Sequence, residues 1–457
     1  MTNIPVEEKS RYKLIIQDLG EGGEGIGKVD GFTIFIEGGI PYDKVLVEIT
    51  KVKKKYALGR IIEIIKPSQY RIKPVCPVAK ECGGCQTQHI DYAQQLEIKK
   101  NKVTSSIERI GKLEDVLIHD VLGMDKPYNY RNKAQFPIGR ENGRAIIGFY
   151  KKGTHEIVDI EGCPIQHEVN NEILNVFKKF IDDKKLSIYD SKSGKGLMRH
   201  ILTRVSYGTG DLMVVIVTNG NQMPFKDEII NELIKNIPQI KSIVQNINTK
   251  KTNVILGRQC HTLYGQDKIL DYIGDLKFEI SPLSFFQVNP FQTKVLYDKT
   301  LEYANLTGNE TVFDIYCGIG TISLSLAQKA KKVYGIEVIE AAINDAKRNA
   351  SLNKLNNTEF FVGKAEEVIP KLYKEGLRAD VVVVDPPRKG CDRVVLETIA
   401  MMKPKRVVYV SCKPSTLARD LGILDELGYK TLEIQPVDMF SHTTHVETVT
   451  VLYRQDS

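Results

Sequence analysis

Apolar and polar positions alternate through the first sixty residues. KLIIQDL, KVDGFTIFIEGG and DKVLVEITKVKKKYALGRIIEII have the period of short strands, broken by Gly-rich EGGEGIG and by Asp30-Gly31, a two-residue hairpin signal. About five strands in about 55 residues, with Gly at the corners, predict a small OB-like β-barrel. Residues 91–113 change period, and Leu96, Val103 and Ile107 fall at helical spacing. Residues 115–285 mix strand-like runs such as LTRVSYGTGDLMVVIVTN with helix-like ones such as EVNNEILNVFKKFIDD, which predicts an α+β region. From residue 290 onward the alternation is regular. ETVFDIYCGIG, KKVYGIEV, ADVVVVDPP and KRVVYVSC are short β-branched runs, each followed by a helical pattern, as in a Rossmann-like doubly wound parallel sheet. The expected fold is thus multi-domain α/β: a barrel over residues 1–66, an α+β domain over 67–285 and a doubly wound domain over 286–457.

Composition narrows this picture. The 457 residues are 42% hydrophobic and 26% charged, enough apolar material for several cores, so a disordered tail protein is excluded. No apolar run approaches the roughly 18 residues that span a bilayer. The first residues, MTNIPVEEKSRYK, lack a signal-peptide pattern, so a cytoplasmic location without a membrane partner is expected. The net charge of +7 is mild, but its distribution is uneven. Lys44, Lys51, Lys53, Lys54, Lys55, Arg60, Lys66, Arg71 and Lys73 face only Glu48 and Glu63 in the same stretch, nine against two. That density predicts a footprint for a phosphate backbone.

Four strand ends carry the candidate chemistry. Asp314-Ile-Tyr-Cys-Gly318-Ile-Gly320 lies between a buried run and a helix, where ligands of such sheets bind, and its glycines permit close approach to the backbone. It is not GxGxxG, which disfavours a dinucleotide. Glu337, 23 residues after Asp314, ends the next run and suits the ribose hydroxyls of a nucleoside. This combination is the common pattern of S-adenosylmethionine-dependent methyltransferases. Asp385-Pro-Pro-Arg388 ends a third run, with Asp385 facing the cofactor or the target base. Cys412, in Val-Ser-Cys-Lys-Pro, ends a fourth. A thiolate suits attack on an electron-poor ring carbon such as C6 of uracil, and Lys413 is expected to lower its pKa. Loss of the C5 proton then needs a base. Glu447 in HTTHVET is the first choice, with His442 and His445 as rivals.

Cys76, Cys82 and Cys85 form a tight set of thiols, and Cys163, followed by Pro like Cys76, is the best fourth ligand. Four thiolates suit an iron–sulfur cluster or structural zinc, and spacing does not separate the two.

CPVAKECGGC, SFFQVNPFQT, DIYCGIGTIS, VVVVDPPRKG, YVSCKPSTLARDL and HVET, together with the basic barrel, resemble the bacterial RNA uracil-5-methyltransferases. The resemblance covers nearly the whole chain and is greatest to the 23S ribosomal RNA members that carry an N-terminal TRAM domain. It implies Cys412 as nucleophile and Glu447 as base. It implies Gln287, Tyr316, Glu337 and Asp385 as cofactor-binding positions, beside Asp314 and Gly318 from the loop pattern. Phe285 and Asn289 would lie near a flipped base, and the four cysteines would hold a [4Fe–4S] cluster. Thr321 stands where some members have Asn, so no contact is carried to it. The expected activity is methyl transfer to C5 of a uridine in 23S ribosomal RNA, through a covalent Cys–C6 adduct, by a monomer. The same chemistry on transfer RNA is the alternative. N-methylation needs no thiol, a DNA cytosine enzyme usually has Pro before its Cys, and a non-catalytic RNA binder needs none of this set.

Overall fold

The computed structural model describes residues 4–455. The barrel forms from six strands, one more than the sequence pattern suggests, in the order Arg11–Ile15, Lys44–Val52, Tyr56–Lys66, Phe32–Glu37, Gly25–Val29, Asp18–Leu19. The extra piece, Asp18–Leu19, is two residues long and too short to show a period. Val45, Val47 and Ile49 alternate inward with Ile34, Ile36 and Ala57 to make its core. Lys51, Lys53, Lys54 and Lys55 are exposed at the turn of the longest hairpin. Two of the nine basic residues have structural partners instead: Arg60 pairs with Glu48, and Arg71 with buried Asp43.

The middle of the chain builds a seven-stranded sheet between Lys133–Glu141 and Gln259–Gly265, with helices Val169–Asp183 and Lys226–Asn236 against it. Not all of residues 67–285 belong to that layer. Helix Tyr92–Ser106 packs on helix Pro414–Glu426, and strand Leu117–Ile118 joins the edge of the C-terminal sheet. The helical pattern over 91–113 resolves into this helix followed by one π-helical turn, Ile107–Gly111.

The C-terminal sheet has eight strands. Thr358–Val362, Lys332–Glu337, Thr311–Ile315, Val381–Val384 and Arg406–Ser411 run parallel in that spatial order; Glu447–Arg454 is antiparallel, followed by Tyr429–Val437 and Leu117–Ile118. The parallel strands are apolar on both sides because helices cover both faces. Chain order reverses between Thr311–Ile315 and Val381–Val384, which opens a crevice at their carboxyl ends. No helix among the described residues is long and apolar enough to cross a membrane.

Candidate active site

The crevice collects the strand-end residues. Asp314 is fully buried at the end of its strand. Its Oδ2 accepts from Ser323 Oγ at 2.5 Å and its Oδ1 has no partner among the described residues. Burial pushes its pKa up to about 7, with Glu337 as a neighbouring charge. Glu337 grips the loop beside it: Oε2 accepts from Gly318 N at 3.2 Å and Oε1 from Ile339 N at 2.9 Å. Gly318 has φ +55, and the space where its Cβ would stand is open. A free carboxylate oxygen, a strand-end acid and an uncovered glycine fit the ribose and backbone contacts of a nucleoside cofactor. Tyr316 also has a left-handed backbone, φ 70, but its ring turns into the apolar layer and its hydroxyl reaches Cys391. Only its backbone remains at the cofactor loop.

Cys412 and Glu447 meet because their strands are adjacent. The last rung between the two strands pairs Ser411 with Thr448, and the residues just beyond it, Cys412 and Glu447, are near enough for the Glu447 charge to act on the thiol. Glu447 is 4% exposed. Burial, then the charge of Asp385, pushes its pKa up to about 8, while Arg388 opposes. Asp385 is itself pushed up to about 7 by burial and by Asp314. Burial, Glu447 and Asp385 raise the Cys412 thiol to about 11, and Arg388 again opposes. The cation set against the thiol is Arg388 rather than Lys413, the one expected from sequence. The DPPR motif contained that residue. Tyr297 was also missed. It is buried on helix Pro290–Ala304, its hydroxyl lies 2.7 Å from Thr321 Oγ1, and Asp385, Asp314 and Glu447 are its neighbouring charges. In sequence it has only the look of a core aromatic.

The SFFQVNPFQT segment runs into helix Pro290–Ala304, which carries Tyr297. Phe285 is 70% exposed, unusual for a Phe. Gln287 is buried, and its carbonyl accepts from Asn132 Nδ2 at 3.0 Å. Asn289 caps helix Pro290–Ala304 through Gln292 N and donates to Met439 O at 3.0 Å, so its side chain is engaged inside the protein. His442 is stacked on Tyr128, with ring centroids 4.5 Å apart, and burial lowers it to about 4. Its charged neighbours are Asp438 and Lys99, not the residues around Cys412. His445, likewise lowered to about 4 by burial, faces Arg388 and Lys102.

Cys76, Cys82, Cys85 and Cys163 line one cavity of about 310 Å³, beside Arg131 and Lys133. Burial raises all four thiols, Cys85 to about 12 and Cys163 to about 11, and each of those two is raised further by its neighbours among the set. Among the described residues no three His, Cys, Asp or Glu side chains are grouped so as to hold a metal ion, these four cysteines included. A separate cleft of about 670 Å³ runs between the barrel and the C-terminal domain, bordered by Phe35, Tyr56, Lys102, Arg109 and Ser415. The barrel touches the site itself, since Thr444 Oγ1 donates to Glu21 O at 2.6 Å.

A nucleic-acid-binding barrel joined to a doubly wound sheet, with a thiol and a carboxylate at its carboxyl edge, defines an RNA methyltransferase as the class. Family profiles agree: the TRAM domain matches residues 5–62, and tRNA (Uracil-5-)-methyltransferase matches residues 91–455. The chain belongs to the tRNA (Uracil-5-)-methyltransferase family. It is 53% identical over 450 residues to an uncharacterized RNA methyltransferase of Clostridium tetani, covering 98% of both chains. It is 54% identical to one of Bacillus cereus, again over 98% of each. Among solved structures, the tRNA (uracil-54, C5)-methyltransferase of Pyrococcus abyssi, in complex with S-adenosyl-L-homocysteine, is 30% identical with a TM-score of 0.77. That likeness covers 96% of this chain and 100% of the archaeal one.

Proposed function

We propose that this enzyme transfers the methyl group of S-adenosylmethionine to C5 of a uridine in RNA, with Cys412 as nucleophile and Glu447 as base. The observation that carries the proposal is the nearness of Cys412 and Glu447 just beyond the last rung of their strands. Gln287, Glu337, Asp385, Asp314, Gly318 and the backbone of Tyr316 hold the cofactor, which supplies an electrophilic methyl group. The uridine is flipped out of its strand, with exposed Phe285 as a stacking face. Asn289 acts by fixing the segment that carries Phe285 and Gln287. As the thiolate, Cys412 Sγ bonds to C6 while the C5=C6 pair moves to C5. That pair would take the methyl group as the methyl's bond to the cofactor's sulfonium breaks, the sulfur keeping the pair and leaving as neutral thioether. Glu447 removes the C5 proton, the double bond re-forms and the C6–S bond breaks.

The barrel and its four exposed lysines hold the RNA phosphates. By family resemblance the substrate is 23S ribosomal RNA. Transfer RNA is the second reading, and one observation favours it: the archaeal tRNA enzyme aligns over 96% of this chain, so the barrel does not separate the two substrates. The four-cysteine cavity holds a [4Fe–4S] cluster in this proposal. Its size suits a multi-atom group, whereas a zinc ion needs four sulfurs within about 2.3 Å of one point. Mapping 5-methyluridine in both RNAs from cells with and without the gene tests the function. A site lost from ribosomal RNA supports the first reading and one lost only from transfer RNA the second, while no lost 5-methyluridine overturns both.

A further inference from the structure

The connection between the last two long strands is held in an unusual way. Val437 and Glu447 form the final rung of their pairing, and residues 438–446 close the gap between them. This connection is almost wholly buried, so its carbonyls need donors. They come from elsewhere in the chain. Gln292 Nε2 serves Asp438 O at 3.3 Å, Asn289 Nδ2 serves Met439 O, Lys99 Nζ serves Phe440 O at 3.1 Å, and Tyr130 Oη serves Ser441 O at 3.0 Å. His442 O differs, because it accepts two backbone N–H groups, Gln86 N at 3.0 Å and Thr87 N at 3.1 Å. These are the two peptides that follow Cys85.

His442 is itself in the left-handed region, φ 66, where few side chains rest easily. Three contacts retain it there. Its ring stacks on Tyr128, its N–H donates to Gln95 Oε1 at 3.0 Å, and its Nδ1 lies 3.3 Å from Gln95 Nε2. Gln95 Oε1 also accepts from Thr87 Oγ1 at 3.0 Å, which ties the same cysteine segment to the same residue a second time.

We propose that His442 is a positioning residue: the peptide after Cys85 grips its carbonyl and so sets the Glu447 side of the crevice, which makes the four-cysteine site govern release of the methylated RNA rather than methyl transfer. The inference rests on the roles proposed above for Cys412 and Glu447. Its logic is geometric. Cys412 follows the strand Arg406–Ser411, which pairs with the body of the last strand from Ser411–Thr448 onward, whereas Glu447 begins where the clamped connection ends. A loosened clamp therefore displaces the base and leaves the thiol in place.

The test follows a labelled methyl group from S-adenosylmethionine into an RNA oligonucleotide, with SDS quenching to separate protein-bonded from free RNA. His442→Asn keeps a residue that tolerates the left-handed region and should behave as the parent. His442→Val, β-branched, should not tolerate it. Its single-turnover methyl transfer should stay within about twofold, while release slows by about 10- to 100-fold and label accumulates in the protein–RNA band. Cys163→Ser should shift the balance the same way. Hydrogen exchange in residues 438–447 should rise in both variants. Parallel loss of transfer and release, or His442→Val behaving as His442→Asn, overturns the proposal. Glu447→Gln is run beside them. If it traps label and His442→Val does not, the clamp fails while the catalytic roles stand. If Glu447→Gln traps nothing, those roles fall, and unchanged exchange in 438–447 would overturn the clamp independently.

Discussion

Around Cys412 two carboxyls and the thiol itself are buried together with very little positive charge. Asp385, Glu447 and the thiol all carry raised pKa values because they are buried together, and Arg388 is the cation that opposes the shift for Cys412 and Glu447. Arg388→Met should therefore slow formation of the Cys–RNA adduct by about tenfold, the scale of a one-unit rise in the thiol pKa. Rapid-quench measurement of adduct formation checks it, and an unchanged rate would remove Arg388 from the chemistry. Glu447 gives a pH dependence of definite sign. It acts only as the carboxylate, and its buried carboxyl keeps its proton up to about pH 8. Single-turnover release should rise about tenfold per pH unit below that value and level off above it. A flat profile from pH 6 to 9 would contradict the assignment. Cys412, Glu337 and Asp385 were legible in sequence because strand ends of a doubly wound sheet converge wherever the pattern is regular. Tyr297 was not, since its place depends on which way a helix face turns, and Arg388 was visible within the DPPR motif but not as the cation that faces Cys412.

Single elements show where sequence patterning stops. Helix Tyr92–Ser106 buries Gln95, Lys99 and Val103, two of them polar, so a pattern that assigns polar residues to solvent misplaces its inner face. The reason lies more than 300 residues away. Lys99 is 2% exposed and pairs with buried Asp438, which Tyr92 and Ser441 also hold, at 2.6 and 2.7 Å. Burial lowers the Lys99 pKa, with Asp438 acting against it. Lys99→Met would leave Asp438 buried without its cation and should cost about 3–5 kcal/mol. Urea denaturation reads this directly, and a loss below about 1 kcal/mol, typical of an exposed pair, would show that the ion pair is dispensable. The barrel hairpin is the opposite case, legible from composition alone. Replacing Lys51, Lys53, Lys54 and Lys55 by Gln should lower the salt dependence of RNA binding by about 0.7–0.9 log units per lost phosphate contact. An unchanged slope would turn that hairpin away from RNA.

For the whole molecule, the three regions meet around residues 438–447: the barrel through Glu21, the cysteine segment through Gln86 and Thr87, and helix Tyr92–Ser106 through Lys99 and Lys102. The outline of barrel, α+β middle and doubly wound sheet was legible because each has its own period. The interleaving was not, because a two-residue strand such as Leu117–Ile118 has no period to detect. Protein purified without oxygen should be brown and carry about four irons per chain. Stoichiometric zinc without iron would contradict the cluster. The central claim is covalent catalysis by Cys412 with Glu447 as the base, and trapping tests it most directly. Glu447→Gln, incubated with substrate RNA and S-adenosylmethionine, should give a band of protein and RNA that survives denaturation, and mass spectrometry should place a methylated uridine on the Cys412 peptide. Normal turnover by the folded Glu447→Gln variant, or an adduct on any other residue, would contradict the account.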